Sequence, residues 1–203
     1  MQIFTGAGIS VESGIPDFRS PGGLWSRYNP SEYCDYETFK QRPELFWRMG
    51  RALIMQIHTE KGGSREELLR TGEFRKAEPN AAHRALVDFE DMGKRVTVIT
   101  QNIDGLHKAA GSTRVIELHG TDQTCTCLTC RETYSQSEVV KQWLAVPEEI
   151  RFRGPDEDDF VPRCPKQGTC NGVLKADGHP RPRPSKTQLP TQHAVFLTAR
   201  IDQ

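Results

Sequence analysis

Apolar positions follow two rhythms along this chain. Short runs at residues 1–5, 95–100 and 115–118 are each followed by small or polar residues, a pattern that predicts strands. Elsewhere the spacing is three and four. Phe39, Leu45, Phe46, Met49, Leu53 and Ile57 predict helical structure over 36–58, with Pro43 opening a new helix at its first turn. A shorter helix is expected over 64–70, after the Gly62-Gly63 break. Residues 81–92 read as amphipathic, with Ala82, Leu86 and Phe89 on the apolar face. A helix over 105–110, stopped at Gly111, joins the second run to the third. Strand, helix and strand in that order make a βαβ unit, which implies a parallel sheet and a right-handed crossover. The chain is therefore expected to be α/β, with loop over 20–35 where Pro21-Gly22-Gly23 and Asn29-Pro30 give turn signals and no period.

The chemistry gathers where the apolar runs end. Gln101, Asn102 and Asp104 follow one run and His119 follows the next. In an open parallel sheet the ligand crevice lies just beyond the carboxyl ends of the strands, so these residues are expected to form one wall of an active site. The first run leads into Gly6-Ala7-Gly8 and a helix over 9–13, ended by Gly14-Ile15-Pro16. A glycine turn between strand and helix lets backbone approach a diphosphate closely, and the helix start supplies free N–H groups. On its own the turn is equally compatible with a tight connection that binds nothing. His83 and His107 are read as lying on helix surfaces.

Composition narrows the class. The chain has 203 residues with 27 basic and 27 acidic side chains, so no global field draws it to nucleic acid or an anionic membrane. No stretch approaches the roughly 20 apolar residues that span a bilayer, and no secretory pattern opens the sequence. A soluble intracellular protein is expected, its compartment open between nucleus, cytoplasm and mitochondrion. Residues 178–203 combine prolines, basic residues and one short apolar run, 194–197, and are expected to be disordered. The acidic run 156–159 is expected to be a solvated loop.

Six cysteines are too few for a disulfide scaffold, and four form two close pairs, Cys127-x2-Cys130 and Cys164-x5-Cys170. Two thiolate pairs suit tetrahedral zinc, although the second spacing is longer than usual. Cys125 could replace one ligand of the first pair, but a C-x-C pair is tighter and less common. With no glutamate or histidine among the four, the site reads as structural. Cys34 stands alone in a loop and reads as a small, partly buried residue.

The ordered set GAGIS-x-x-SGIPDFRS, TQNIDGLH, IELHG and two cysteine pairs closely resembles the sirtuin family of NAD-dependent protein deacylases, over about residues 2–177. The resemblance implies a Rossmann-like parallel sheet, incomplete here, with a small zinc-binding module. The expected division is a core over 1–120 with an inserted helical and cofactor-loop segment over 20–80, a zinc module over 121–177, and the tail. It further implies that Gly6, Ala7, Gly8 and Ile9 cradle the NAD diphosphate. Asp17, Phe18 and Arg19 would form the cofactor loop, Phe18 shielding the reactive ribose carbon. Gln101 and Asn102 would contact the ribose, Asn102 also ordering a water. Ile103 and Asp104 would hold the nicotinamide carboxamide. His119 would be the general base, with Cys127, Cys130, Cys164 and Cys170 on zinc. The implied substrate is an acyl-lysine protein or peptide, and the implied products are nicotinamide, free lysine and O-acyl-ADP-ribose.

Beyond Leu174-Lys175-Ala176-Asp177 the family pattern stops. The later strands and the adenine-side loop are missing, so an exposed sheet edge and an uncovered apolar surface are expected, from an alternative transcript or an imperfect gene model. Glu78-Pro79-Asn80-Ala81-Ala82-His83 and the long second cysteine spacing look like the desuccinylase branch. The helix over 44–57, however, has no tyrosine and arginine placed to grip an acidic acyl group, which favours acetyl or another neutral group. Two rivals stand beside deacylation: mono-ADP-ribosyl transfer, and a catalytically silent zinc-binding interaction module.

Overall fold

The computed structural model describes residues 1–71, 73–146, 159–166 and 169–178. Its first sheet has three parallel strands in the order β1-β2-β3: β1 Gln2–Thr5, β2 Thr97–Thr100 and β3 Val115–Glu117. Helix α6, Leu106–Ala110, lies between β2 and β3, as the strand–helix–strand pattern requires. It ends on Gly111 in the left-handed region, as read from the sequence. The strands are shorter than the apolar runs by one to two residues, because pairing begins only where Gln2 meets Thr97.

The register divides the sheet into two faces. Ile3, Val98 and Val115 form one row and pack with Val96 and with Leu86 of α5, Ala81–Asp91. Phe4, Ile99 and Ile116 form the row on the other face, where Phe4 is 70% and Ile116 43% exposed. Both faces of a parallel sheet are ordinarily covered, and here helix α5 supplies cover on one side. The expected uncovered apolar surface is present at Phe4 and Ile116, while Ile99 between them is 3% exposed. The α5 stripe differs from the periodic reading: His83 and Leu86 are buried while Phe89 is 41% exposed. The helix is rotated so that His83, which also closes the Asn80 capping box, points inward.

The segment between β1 and α5 opens with a 3-10 turn over Ala7–Ser13, tighter than the helix expected there. It then forms α1 Pro30–Tyr33, α2 Tyr36–Gln41, α3 Pro43–Glu60 and α4 Arg65–Thr71. Pro43 does open α3, at a position where its missing N–H is no loss. The second sheet is antiparallel, in the order β5-β4-β6, from β4 Thr124–Cys127, β5 Thr133–Ser135 and β6 Leu174–Ala176. Helix α7, Gln136–Leu144, follows β5 through a capping box between Ser135 and Glu138.

The second sheet does not keep a core to itself. Phe39 of α2 and Trp47 of α3 are buried in one cluster with Cys125, Cys127, Val139, Cys164, Leu174 and Ala176. Trp47 Nε1 donates to the Leu174 carbonyl at 3.1 Å, which satisfies a buried indole N–H across 127 positions of sequence. The Asp177 carboxylate ties β6 to β4 by accepting from Thr124 at 2.6 Å and Thr126 at 2.8 Å. Of the tail expected over 178–203, residues 179–203 lie outside the described residues, as do 156–158 of the acidic run. Among the described residues, no helix is long and apolar enough to cross a membrane.

Candidate functional site

The ends of β1, β2 and β3 come together as the sequence predicts. Gln101 N donates to Thr5 O at 3.1 Å and Leu118 N to Thr100 O at 2.9 Å, so the three strands finish at one level. His119, one residue further, has Nδ1 3.0 Å from the Gln101 carbonyl oxygen. A carbonyl can only accept, so Nδ1 carries a proton, and in the neutral ring Nε2 keeps its lone pair. The ring is exposed. Gly120 is needed behind it: φ is +80°, and a Cβ there would stand 2.4 Å from Asp177 O, where the metal module returns to the sheet.

Asn102 and Asp104 are joined by a residue that the motif reading passed over. Asn102 Nδ2 donates to Ser10 Oγ at 3.0 Å and to Gly6 O at 3.1 Å, and Ser10 Oγ donates to Asp104 Oδ2 at 2.7 Å. Ser10 is 1% exposed, and its hydroxyl is the bridge between the glycine turn and the strand ends. The other Asp104 oxygen accepts from Leu106 N at 2.9 Å and starts α6. Asn102 thus spends both amide hydrogens on the protein, which directs its Oδ1 to other use.

Ahead of the turn there is room. A Cβ built on Gly6 or Gly8 meets nothing within 4 Å, and the turn has no side-chain cap. An open cradle with uncapped N–H groups, beside an amide, an acid and an imidazole, fits a dinucleotide diphosphate. Ala7 and Ile9 lie in the same turn, with Ile9 N donating to Gly6 O at 3.1 Å. The Asp17–Arg19 segment folds on itself: the Asp17 carboxylate accepts from Ser20 N at 3.1 Å and from the Ser20 hydroxyl, and Phe18 packs on Trp25 with centroids 5.0 Å apart. Arg19 is exposed. Ile103 O accepts from Asp122 N at 2.9 Å, and its side chain packs against Gly178. Burial pushes the Asp122 carboxyl up to about 6, with Asp104 adding to the rise and a Gln123 hydrogen bond opposing it.

Behind the turn the expectation for two histidines is overturned. His83 and His107 are 0% and 2% exposed, not on helix surfaces, with ring centroids 4.8 Å apart. His107 Nε2 lies 2.9 Å from Thr5 Oγ1, while His83 Nδ1 accepts from Asn80 N at 3.3 Å. Asn80 Nδ2 in turn donates to Ile9 O at 2.7 Å and Ser13 Oγ at 3.1 Å, anchoring the 3-10 turn. Burial lowers both imidazole pKa values.

The second centre is the cysteine cluster. The Sγ atoms of Cys127, Cys130, Cys164 and Cys170 all lie within 4.8 Å of one another, with Cys127–Cys170 at 3.6 Å and Cys130–Cys164 at 3.7 Å. Zn–S bonds of about 2.3 Å set neighbouring sulfurs about 3.8 Å apart in a tetrahedron, so the four thiols fit zinc. Cys125 is buried in β4 outside this cluster, and Cys34 is partly buried. A Tyr134 hydrogen bond holds the Cys164 thiol below its ordinary value.

A parallel sheet with an open glycine turn at its strand ends, joined to a module whose four cysteine sulfurs are spaced for a metal, defines an α/β protein with a small metal-binding module. The chain belongs to the Sir2 family, whose model matches residues 6–177. It is 40% identical over 174 residues to an NAD-dependent protein deacetylase of Sulfurisphaera tokodaii, covering 86% of this chain and 56% of that protein. It is 41% identical over 167 residues to NAD-dependent protein deacylase 2 of Archaeoglobus fulgidus, covering 82% and 54%. A solved Sir2–p53 peptide–NAD+ structure superposes with a TM-score of 0.57 at 34% identity, covering 87% of this chain and 57% of that one. The chain thus spans about half the length of the curated relatives it matches.

Proposed function

We propose that this chain carries the catalytic wall of an NAD-dependent protein-lysine deacylase, acting on acetyl or another neutral acyl group and releasing nicotinamide and O-acyl-ADP-ribose. The observation that carries the reading is His119: an exposed imidazole with Nδ1 committed to Gln101 O at 3.0 Å and Nε2 left as a base. The activities named for its relatives support it. NAD, when bound, supplies an electrophilic ribose carbon and the nicotinamide leaving group. Gly6, Ala7, Gly8 and Ile9 would face its diphosphate. Asp17, Phe18 and Arg19 would lie beside the reacting centre, where the Phe18–Trp25 pair would shield it from water. Gln101 would meet the ribose, Asn102 Oδ1 would hold a water or a ribose hydroxyl, and Ile103 with Asp104 would hold the carboxamide. His119 Nε2 would take the proton from a ribose hydroxyl. Zinc on the four cysteines would hold the small module together and take no part in the chemistry. The partner is an acyl-lysine protein or peptide met in the soluble interior of the cell, and the zero net charge supplies no global attraction for nucleic acid.

The test is the full chain with NAD and an acetyl-lysine peptide, followed by mass spectrometry. Loss of the acetyl group with appearance of nicotinamide and O-acetyl-ADP-ribose is expected, and His119→Ala should lower the rate by about 100-fold or more while NAD binding persists. ADP-ribose gained by protein would move the assignment to mono-ADP-ribosyl transfer. Calorimetry showing no NAD binding would leave a silent zinc module.

A further inference from the structure

The sulfurs of the cysteine cluster are not equally supported. Cys127 Sγ accepts from two backbone amides, Thr129 N at 3.4 Å and Cys130 N at 3.5 Å. Any residue but proline at those positions would provide the same donors. Cys164 Sγ takes a backbone amide, from Lys166, and in addition lies 3.1 Å from the Tyr134 hydroxyl. Tyr134 sits on β5 opposite Cys125 of β4, its ring packed against the shared core. The strand pairing therefore fixes where the hydroxyl goes. With a metal bound, Cys164 is a thiolate and can only accept, so the phenol is the donor.

We propose that Tyr134 belongs to the metal centre, donating a hydrogen bond to the Cys164 sulfur that sets how tightly the four cysteines hold zinc. The inference rests on the zinc reading of the cluster. Its physical basis is charge. Four thiolates on one divalent ion leave a net charge of about −2 in a largely buried site, and each donor to sulfur spreads that charge. Outer partners of metal ligands affect affinity for this reason, and their loss typically weakens binding about 10- to 100-fold. Phenylalanine would keep the ring contacts and remove only the donor, so the role separates from packing.

The test uses the full chain carrying Tyr134→Phe. Competition with a chromophoric chelator should show zinc held about 10-fold less tightly than in the wild type. Loaded with cobalt(II), the variant should show its sulfur-to-metal charge-transfer band moved to lower energy, because the sulfur lone pairs are no longer stabilised by the hydroxyl. Equal zinc affinity and an unmoved band would overturn the proposal. If circular dichroism shows that the variant does not fold, the wild-type protein loaded with cadmium-113 decides: a cadmium–proton correlation to the Tyr134 hydroxyl supports the hydrogen bond. Correlations to cysteine β-protons alone would refute it. A wild-type chain that takes up none of these metals would overturn the zinc reading itself, an outcome distinct from equal affinity in the two proteins.

Discussion

His83 and His107 occupy the space behind the glycine turn, and their burial makes them a proton-sensitive support for it. Asn80 N–H occupies His83 Nδ1, so the neutral ring carries its hydrogen on Nε2, an atom with no partner among the described residues. Protonating His83 would turn Nδ1 into a donor facing the Asn80 N–H, and burial penalises a charge on either ring more than Asp104 offsets it. Both values lie below the ordinary 6.5, so the unfolded chain binds these protons more readily than the folded one. The stabilising contribution is thus complete above about pH 6.5 and is lost as pH falls from there through the folded values. Urea midpoints measured at pH 7.5 and 5.5 should drop for the wild type. His83→Asn, which keeps an acceptor toward Asn80, should narrow the drop; an equal drop in both proteins would place the effect elsewhere. At this scale the gathering of Gln101, Asn102, Asp104 and His119 was legible because each follows the end of an apolar run. Ser10, Asn80 and the two histidines were not. Their partners lie between 71 and 102 positions away for Ser10, Asn80 and His107, and a hydrogen bond across that span leaves no local pattern.

Helix α3 and the metal module depend on one another. Trp47 reaches β6 through its indole, and Arg51 Nη1 donates to Phe160 O at 2.8 Å on the approach to Cys164. Two of the four ligands, Cys127 and Cys164, are themselves core residues packed with Phe39 and Trp47. Metal binding in such a module is coupled to folding. Removing zinc with a chelator should therefore accelerate amide exchange by at least about 10-fold in α2, α3 and α7, with β1–β3 protected more persistently, as read by mass spectrometry. Unchanged protection in α3 would show that the core holds without the ion. The helical period of α3 and its proline start were readable from sequence, as was the pairing of cysteines by spacing. That the helix shares its core with those cysteines was not, since an apolar stripe states that something covers it without saying what. For α5 the stripe itself misled, because the buried face is built around a histidine.

Across the whole molecule the open question of cover becomes physical at one face of the first sheet. Phe4 is 70%, Ile116 43% and Leu118 53% exposed on either side of the buried Ile99, on strands of a kind usually buried on both faces. Sedimentation over a range of concentrations should give an average mass rising above 22.9 kDa, and Phe4→Ser should bring it back toward that value. A wild-type mass constant at 22.9 kDa would show that these side chains do not drive association. The sheet's parallel order followed from the βαβ reading, and the uncovered surface from the point where the family pattern stops. The register bears on how such a chain is made. Gln2 finds its partner only at Thr97. At synthesis rates of about 5–20 residues per second, β1 spends roughly 5–20 s outside the ribosome without a neighbour. For that interval Ile3 and Phe4, on the strand that leads into the glycine turn, have no sheet partner to cover them.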